Sequence, residues 1–416
     1  MTEAVFMALR NAETMTFFDR KVVEEEKLYL LDIRNVLKDD VFDQAKILKY
    51  IEQQVKEHNA KRLVIDSITA ILYAIDDKAK IRQFIFQLSK VLSTLGCTTI
   101  LTSEIPHEGG YSAYGVEEYI SDGIISLTNK PGENKIIRKL QIIKMRGIGF
   151  RSGAIIFDIT PEGLVLYPKI PINRKIASTE FNVRLKSGVP KFDNLVGGGF
   201  PQGHMIMITG NTGSGKSTFA MQFIHEGLEK GEPCLYVALE ESSTQVKKTA
   251  LSHGWDFEKY EKSGNLTFID PDLIDLYPDK ILSEILETVK KTKAKRIVID
   301  SASSLESATM NKNNVREFLL QLTGICKSLG ITCVMTYLTE EIFGGTSNQL
   351  LGSGSSSELR LSSVVDGIIL LRYVERAQTV KKLLNVLKMR GSQHDKNIWE
   401  FTVDKSGMNI GSKFKR

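Results

Sequence analysis

The string GNTGSGKST at 210–218 satisfies the pattern GxxxxGK[ST] through Gly210, Gly215, Lys216 and Ser217. A loop of this kind, here Gly210, Asn211, Thr212, Gly213, Ser214, Gly215, Lys216, Ser217 and Thr218, turns successive backbone N–H groups inward. Together with the positive end of the helix that follows, those groups cradle phosphate oxygens. Lys216 is expected on the β- and γ-phosphates of ATP and the Ser217 hydroxyl in the Mg²⁺ shell. A plain glycine-rich turn is the bland alternative. Asp300 closes the apolar run RIVID. At the C-terminal end of a parallel strand its carboxylate would point into the ligand crevice and hold Mg²⁺ through water; otherwise it caps the next turn. Glu240 and Glu241 close the run LYVAL. Neighbouring strand residues face opposite ways, so one of the two should enter the crevice and polarise an attacking water or hydroxyl. The alternative is a solvated acidic strand end.

The elements around these residues fit the task. HMIMITG before the loop reads as a buried strand and STFAMQFIHEGLEKG after it as a helix. RIVID, ITCVMTYL and GIILLRYV are further strand-like runs, and ILSEILETVKK and VREFLLQLTGICKSLG carry apolar residues at helical spacing. Strands alternating with helices imply an α/β fold, a mainly parallel sheet covered on both faces.

Much of this is written twice. AKRLVIDS (60–67) returns as AKRIVIDS (294–301), with Asp66 and Asp300 234 residues apart. SDGIISL returns as VDGIILL, and KMRG at 144–147 returns at 388–391, both at a spacing of 244. The phosphate loop occurs once. The chain therefore reads as two copies of one domain, 1–175 and 176–416, joined by the proline-bearing stretch 160–182. By the repeat spacing, copy one starts near the end of the LYVAL strand and lacks roughly 55 residues carrying the loop strand, loop and loop helix. It is expected to be catalytically silent and marginally stable on its own.

Composition bounds the rest. A net charge of +5 over 416 residues is mild and does not by itself argue for nucleic acid or an anionic membrane. The four scattered cysteines read as reduced thiols of a cytoplasmic protein and make a zinc site unexpected. No apolar run approaches the roughly 18 residues of a membrane helix.

In this order, SGVPKFDNLVGGGFPQG, GNTGSGKST, LEES, RIVIDS and KMRGS–HDK resemble the KaiC family of the RecA-like ATPases. The resemblance covers essentially the whole chain, as that family's two tandem RecA-like P-loop domains with the first incomplete. It implies a homo-oligomeric ring, usually hexameric, with ATP at subunit interfaces, where Lys388 and Arg390 reach the neighbour's γ-phosphate. It also implies signalling proteins as partners and, in kinase members, self-phosphorylation at positions matching Ser362 and Ser363. Copy one has Glu118 and Tyr119 at the same offset. Paired serines, and an ending at SKFKR without the tail gripped by the clock's stimulatory partner, argue against a clock role.

Two other readings share the loop. A DNA-dependent ATPase of recombination or repair would need a basic, aromatic segment after its fourth strand. TEEIFGGTSNQLLGSGSSSELR offers one Arg and one Phe against three Glu, so DNA is not expected. A nucleotide-gated scaffold with negligible turnover would differ only in steady-state phosphate release.

Overall fold

The computed structural model describes residues 5–33, 43–75, 77–105, 117–131, 136–169, 183–272, 276–308, 312–338, 363–376 and 378–415. Ser362 and the segment 339–361 lie outside the described residues. The chain divides into two units, Met1–Leu166 and Tyr167–Arg416.

The second unit runs in order β7 (Arg184–Leu185), α7 (Pro190–Leu195), β8 (Phe200–Pro201), β9 (Met205–Gly210), α8 (Lys216–Glu229), β10 (Cys234–Ala238), α9 (Ser243–Ser252), α10 (Phe257–Lys262) and β11 (Leu266–Ile269). It continues with α11 (Pro278–Thr292), β12 (Arg296–Asp300), α12 (Ser303–Ser307), α13 (Lys312–Leu329), β13 (Thr332–Leu338), β14 (Gly367–Arg376), β15 (Thr379–Met389), β16 (Trp399–Asp404) and β17 (Gly407–Lys413). Nine of these strands form one sheet in the order β11-β10-β12-β13-β9-β14-β15-β16-β17. The ladders from β11 to β14 are parallel and those beyond are antiparallel. Its central strands are mostly apolar, as strands covered by helices on both faces are. On one face Val298, Val334, Ile369 and Leu371 pack in a core with Phe219, Phe223 and Ile224 of α8. On the other, Ile297, Ile299 and Met335 pack with Ile281 and Ile285 of α11 and Phe318 and Leu322 of α13.

The first unit contains α1 (Val5–Ala12), α2 (Lys21–Glu24), α3 (Gln44–Glu57), β1 (Arg62–Ile65), α4 (Ile68–Leu72), α5 (Lys78–Thr94), β2 (Thr98–Leu101), α6 (Glu117–Ile120), β3 (Gly123–Pro131), β4 (Ile136–Met145), β5 (Ile155–Thr160) and β6 (Gly163–Tyr167). The strand β6 corrects one expectation. The first residues of the supposed linker, TPEGLVLY, are the turn and second strand of a hairpin, because GLVLY alternates as a half-buried strand does.

By the repeat spacings, β1, β2, β3 and β4 stand where β12, β13, β14 and β15 stand in the second unit. There β9 lies between β13 and β14 and bonds to both. Among the described residues of the first unit no strand occupies that place. Its strands form a two-stranded sheet, β1-β2, and a separate four-stranded sheet, β3-β4-β5-β6. One core survives, built on Ile47 and Ile51 of α3 and Phe84, Ile85 and Leu88 of α5, with Leu63, Ile65 and Leu101 packed against it. The other face is bare: Val64 is 60%, Ile100 61%, Ile125 57% and Leu127 48% exposed. Their counterparts Val298, Val334, Ile369 and Leu371 are 0% exposed, under α8.

The same substitution should therefore have opposite outcomes in the two units. Val298→Thr buries a hydroxyl in an apolar core and is expected to cost about 1–3 kcal/mol. Val64→Thr should change stability by less than about 0.5 kcal/mol. Denaturant unfolding of both full-length variants is the check, and a comparable loss at Val64 would mean that its face is covered.

Candidate nucleotide site

The loop begins where β9 ends. A Cβ on Gly210 would lie 2.1 Å from the Leu371 carbonyl oxygen, so only glycine lets β9 leave the sheet beside β14. Gly215 caps α8 with φ +102°, a left-handed conformation that side chains resist. Between them Ser214 is buried at 1% exposure, and its Oγ has no hydrogen-bond partner among the described residues. A buried hydroxyl without a partner costs free energy, so this one is poised for an acceptor brought from outside.

Lys216 opens α8 and folds back over its own loop, its Nζ donating to the carbonyl oxygens of Gly210 and Asn211 at 2.9 Å each. Burial pushes its pKa below the ordinary lysine value, while the Asp300 and Glu240 carboxylates oppose that shift. Ser217, next along the helix, donates from Oγ to Asp300 Oδ1 at 3.2 Å. Asp300 ends β12, which carries its carboxylate to the mouth of the loop. Thr336 of β13 donates to the same Oδ1, and the Tyr236 hydroxyl of β10 donates to Oδ2 at 2.7 Å. Tyr236 is fully buried, and burial first, then the Asp300 charge, raises its phenol pKa well above the usual range.

Glu240 and Glu241 follow β10, which lies beside β12, and both are exposed. Burial, then the like charges of Asp300 and Glu240, raises the Glu241 carboxyl above the usual glutamate range. The loop, Asp300 and the two glutamates thus gather at the C-terminal edge of the parallel strands. Lys388 and Arg390 do not join them. Lys388 pairs with Ile368, which is level with Met207, three residues before Gly210 and about 10 Å of strand away. The cause is β15 running antiparallel, so its end reaches the opposite edge of the sheet. There Lys388 Nζ donates to the Val365 carbonyl at 2.7 Å, and Arg390 to the Ser363 carbonyl at 3.0 Å and Asp366 Oδ1 at 3.5 Å. Burial, then the Arg390 charge, lowers the Lys388 pKa. Ser363 is exposed beside this edge.

Sequence reasoning missed four residues. Tyr236 and Thr336 interrupt the aliphatic runs of LYVAL and VMTYL, a signal available in advance. The others sit on the β14–β15 hairpin: Lys382 donates from Nζ to the Gly213 carbonyl at 3.3 Å, and a Cβ on Gly213 would lie 3.0 Å from the Tyr373 hydroxyl.

The first unit repeats fragments of this arrangement. Thr102 Oγ1 donates to Asp66 Oδ1 at 2.7 Å, Lys144 Nζ to the Glu118 carbonyl at 2.8 Å, and Arg146 pairs with Asp122 at 3.3 Å. No phosphate-loop pattern occurs in its sequence.

A family model described as "ATPase: KaiC" matches residues 7–170 and 185–415. The Circadian clock oscillator protein KaiC of Parathermosynechococcus lividus is 33% identical over 98% of this chain and 74% of its own length. That of Rippkaea orientalis is 34% identical over 98% and 77%. The Circadian clock protein KaiC3 of Synechocystis sp. is 35% identical over 90% and 72%. Site geometry and similarity along both units agree: the chain belongs to the KaiC family of ATPases, with its tandem RecA-like fold.

Proposed function

We propose that the second unit binds and slowly hydrolyses Mg·ATP in an assembly of copies of this chain, and that the first unit is a nucleotide-free interaction unit. The observation that carries the reading is the buried Ser214 hydroxyl without a partner, inside a loop whose lysine rests on its own carbonyls. Triphosphate oxygens offer acceptors to both. The metal-side residues also fit: one carboxylate, Asp300, and one hydroxyl, Ser217, suit an ion that keeps water and phosphate as its other ligands. Bound Mg²⁺ would supply charge neutralisation at the phosphates. The protein's own residues do the remainder. The loop N–H groups and Lys216 orient the triphosphate, and Glu240 or Glu241 takes a proton from the attacking water.

The position of Lys388 and Arg390 supports assembly. They lie at the edge of the sheet away from their own loop, where a neighbour's loop could meet them, and two cations there would stabilise developing phosphoryl charge. ATP that binds only the assembled form then drives association by mass action. Light scattering at saturating Mg·ATP is expected to give an oligomer, with a hexamer the expected size, and Lys388→Ala with Arg390→Ala should weaken it. A wild-type monomer under those conditions would end this reading. Ser362 and Ser363 are the candidate acceptors for phosphoryl transfer within such an assembly. Phosphopeptide mapping of the same incubation, finding neither residue modified, would leave an ATPase without kinase activity.

The relatives named for a circadian clock suggest a regulatory role read by other proteins. Among the described residues no helix is long and apolar enough to cross a membrane.

A further inference from the structure

Resting on the Mg·ATP reading, we propose that Tyr236 is a positioning residue for the metal-side carboxylate. Its hydroxyl holds Asp300 Oδ2 so that Oδ1 stays turned toward Ser217 and the ion.

The strand register explains how a residue so far from the loop comes to act there. Ala238 of β10 is level with Asp300, and Tyr236 is level with Val298. Residues two apart share a face, so Tyr236 points to the same side as Ala238, the side covered by α8. A phenol is long enough to span the offset of two residues, and its hydroxyl arrives at Oδ2 at 2.7 Å. From the opposite neighbour, β13, Thr336 donates to Oδ1. Hydroxyls from both flanking strands therefore fix the plane of the carboxylate, and the Ser217 bond shares Oδ1 with Thr336.

A valine or isoleucine would fill this apolar core without requiring a buried partner, whereas a phenol demands one. The threonine half recurs in the first unit, between Thr102 and Asp66, where the sequence has no phosphate loop. Partners one layer behind a metal ligand typically alter metal affinity by about 10–100-fold when removed.

The test is calorimetry of ATP binding to the full chain, first in EDTA and then across a Mg²⁺ titration. Tyr236→Phe keeps the ring and removes the donor. Its ATP affinity in EDTA is expected to stay within about 2-fold of wild type, while the Mg²⁺ needed for half of the metal-dependent gain rises about 10-fold. Tyr236→Met, whose unbranched apolar side chain adapts to irregular core gaps, should shift the Mg²⁺ requirement by the same amount and serves if the phenylalanine variant does not fold. A merely structural role would lower binding equally with and without metal. That result, or an unchanged Mg²⁺ requirement in the variants, overturns the proposal alone. A wild-type protein whose ATP binding ignores Mg²⁺ overturns it together with the metal role of Asp300.

Discussion

Lys216→Ala is expected to lower ATP affinity by about 10²–10³-fold, the scale of removing one member of a buried, hydrogen-bonded charge pair. Lys216 bonds to two carbonyls of its own loop, and its burial lowers its pKa. Phosphate oxygens would replace those carbonyls and favour the charged form. The pH dependence has a definite sign. A lysine whose folded pKa lies below its unfolded value destabilises the fold while charged, and that penalty fades as pH rises from the lowered folded value to the unfolded one. ATP affinity should do the reverse, falling as pH climbs through the lowered Lys216 pKa, because the free protein then gives up the proton that the triphosphate needs. Calorimetry from neutral to alkaline pH should show this decline in wild type and its absence in the alanine variant. One loop also implies one nucleotide per chain; two would refute the assignment of a silent first unit.

Replacing Glu240 and Glu241 together by glutamine should leave ATP affinity within a few-fold while reducing turnover by about 10²–10⁴-fold, the usual contribution of a positioned base. The Glu241 carboxyl holds its proton more tightly than an ordinary glutamate, through burial and the charges of Asp300 and Glu240. If Glu241 is the base, activity falls as pH drops through that raised pKa. Glu240→Gln alone, by removing one like charge, should move that acidic limb to lower pH. Steady-state phosphate release measures both effects. Turnover unchanged in the double variant would place the base elsewhere, and turnover negligible in wild type would favour the scaffold reading.

The loop, the repeat and the strand-terminal carboxylate were legible in the sequence because each rests on local rules. A backbone that must leave β9 beside the Leu371 carbonyl admits only glycine at 210, and a left-handed helix cap favours it at 215, so their spacing is visible in one dimension. Asp300 at the end of RIVID is likewise a local signal, and the offsets of 234 and 244 show the duplication without any structure.

Tertiary structure decided what depends on which strands are neighbours. Tyr236, Asp300 and Thr336 come from three strands separated by 64 and 36 residues, and only the order β10-β12-β13 makes them one cluster. The resemblance put Lys388 and Arg390 at a neighbour's phosphate, and only the antiparallel direction of β15 shows that they lie at the edge opposite their own loop. The first unit shows the same dependence. Val64 and Val298 occupy the same place in nearly identical octapeptides, and one is bare where the other is core. Burial is a property of what lies across the sheet. In the second unit β9 and α8 lie there, and no described element of the first unit takes their place.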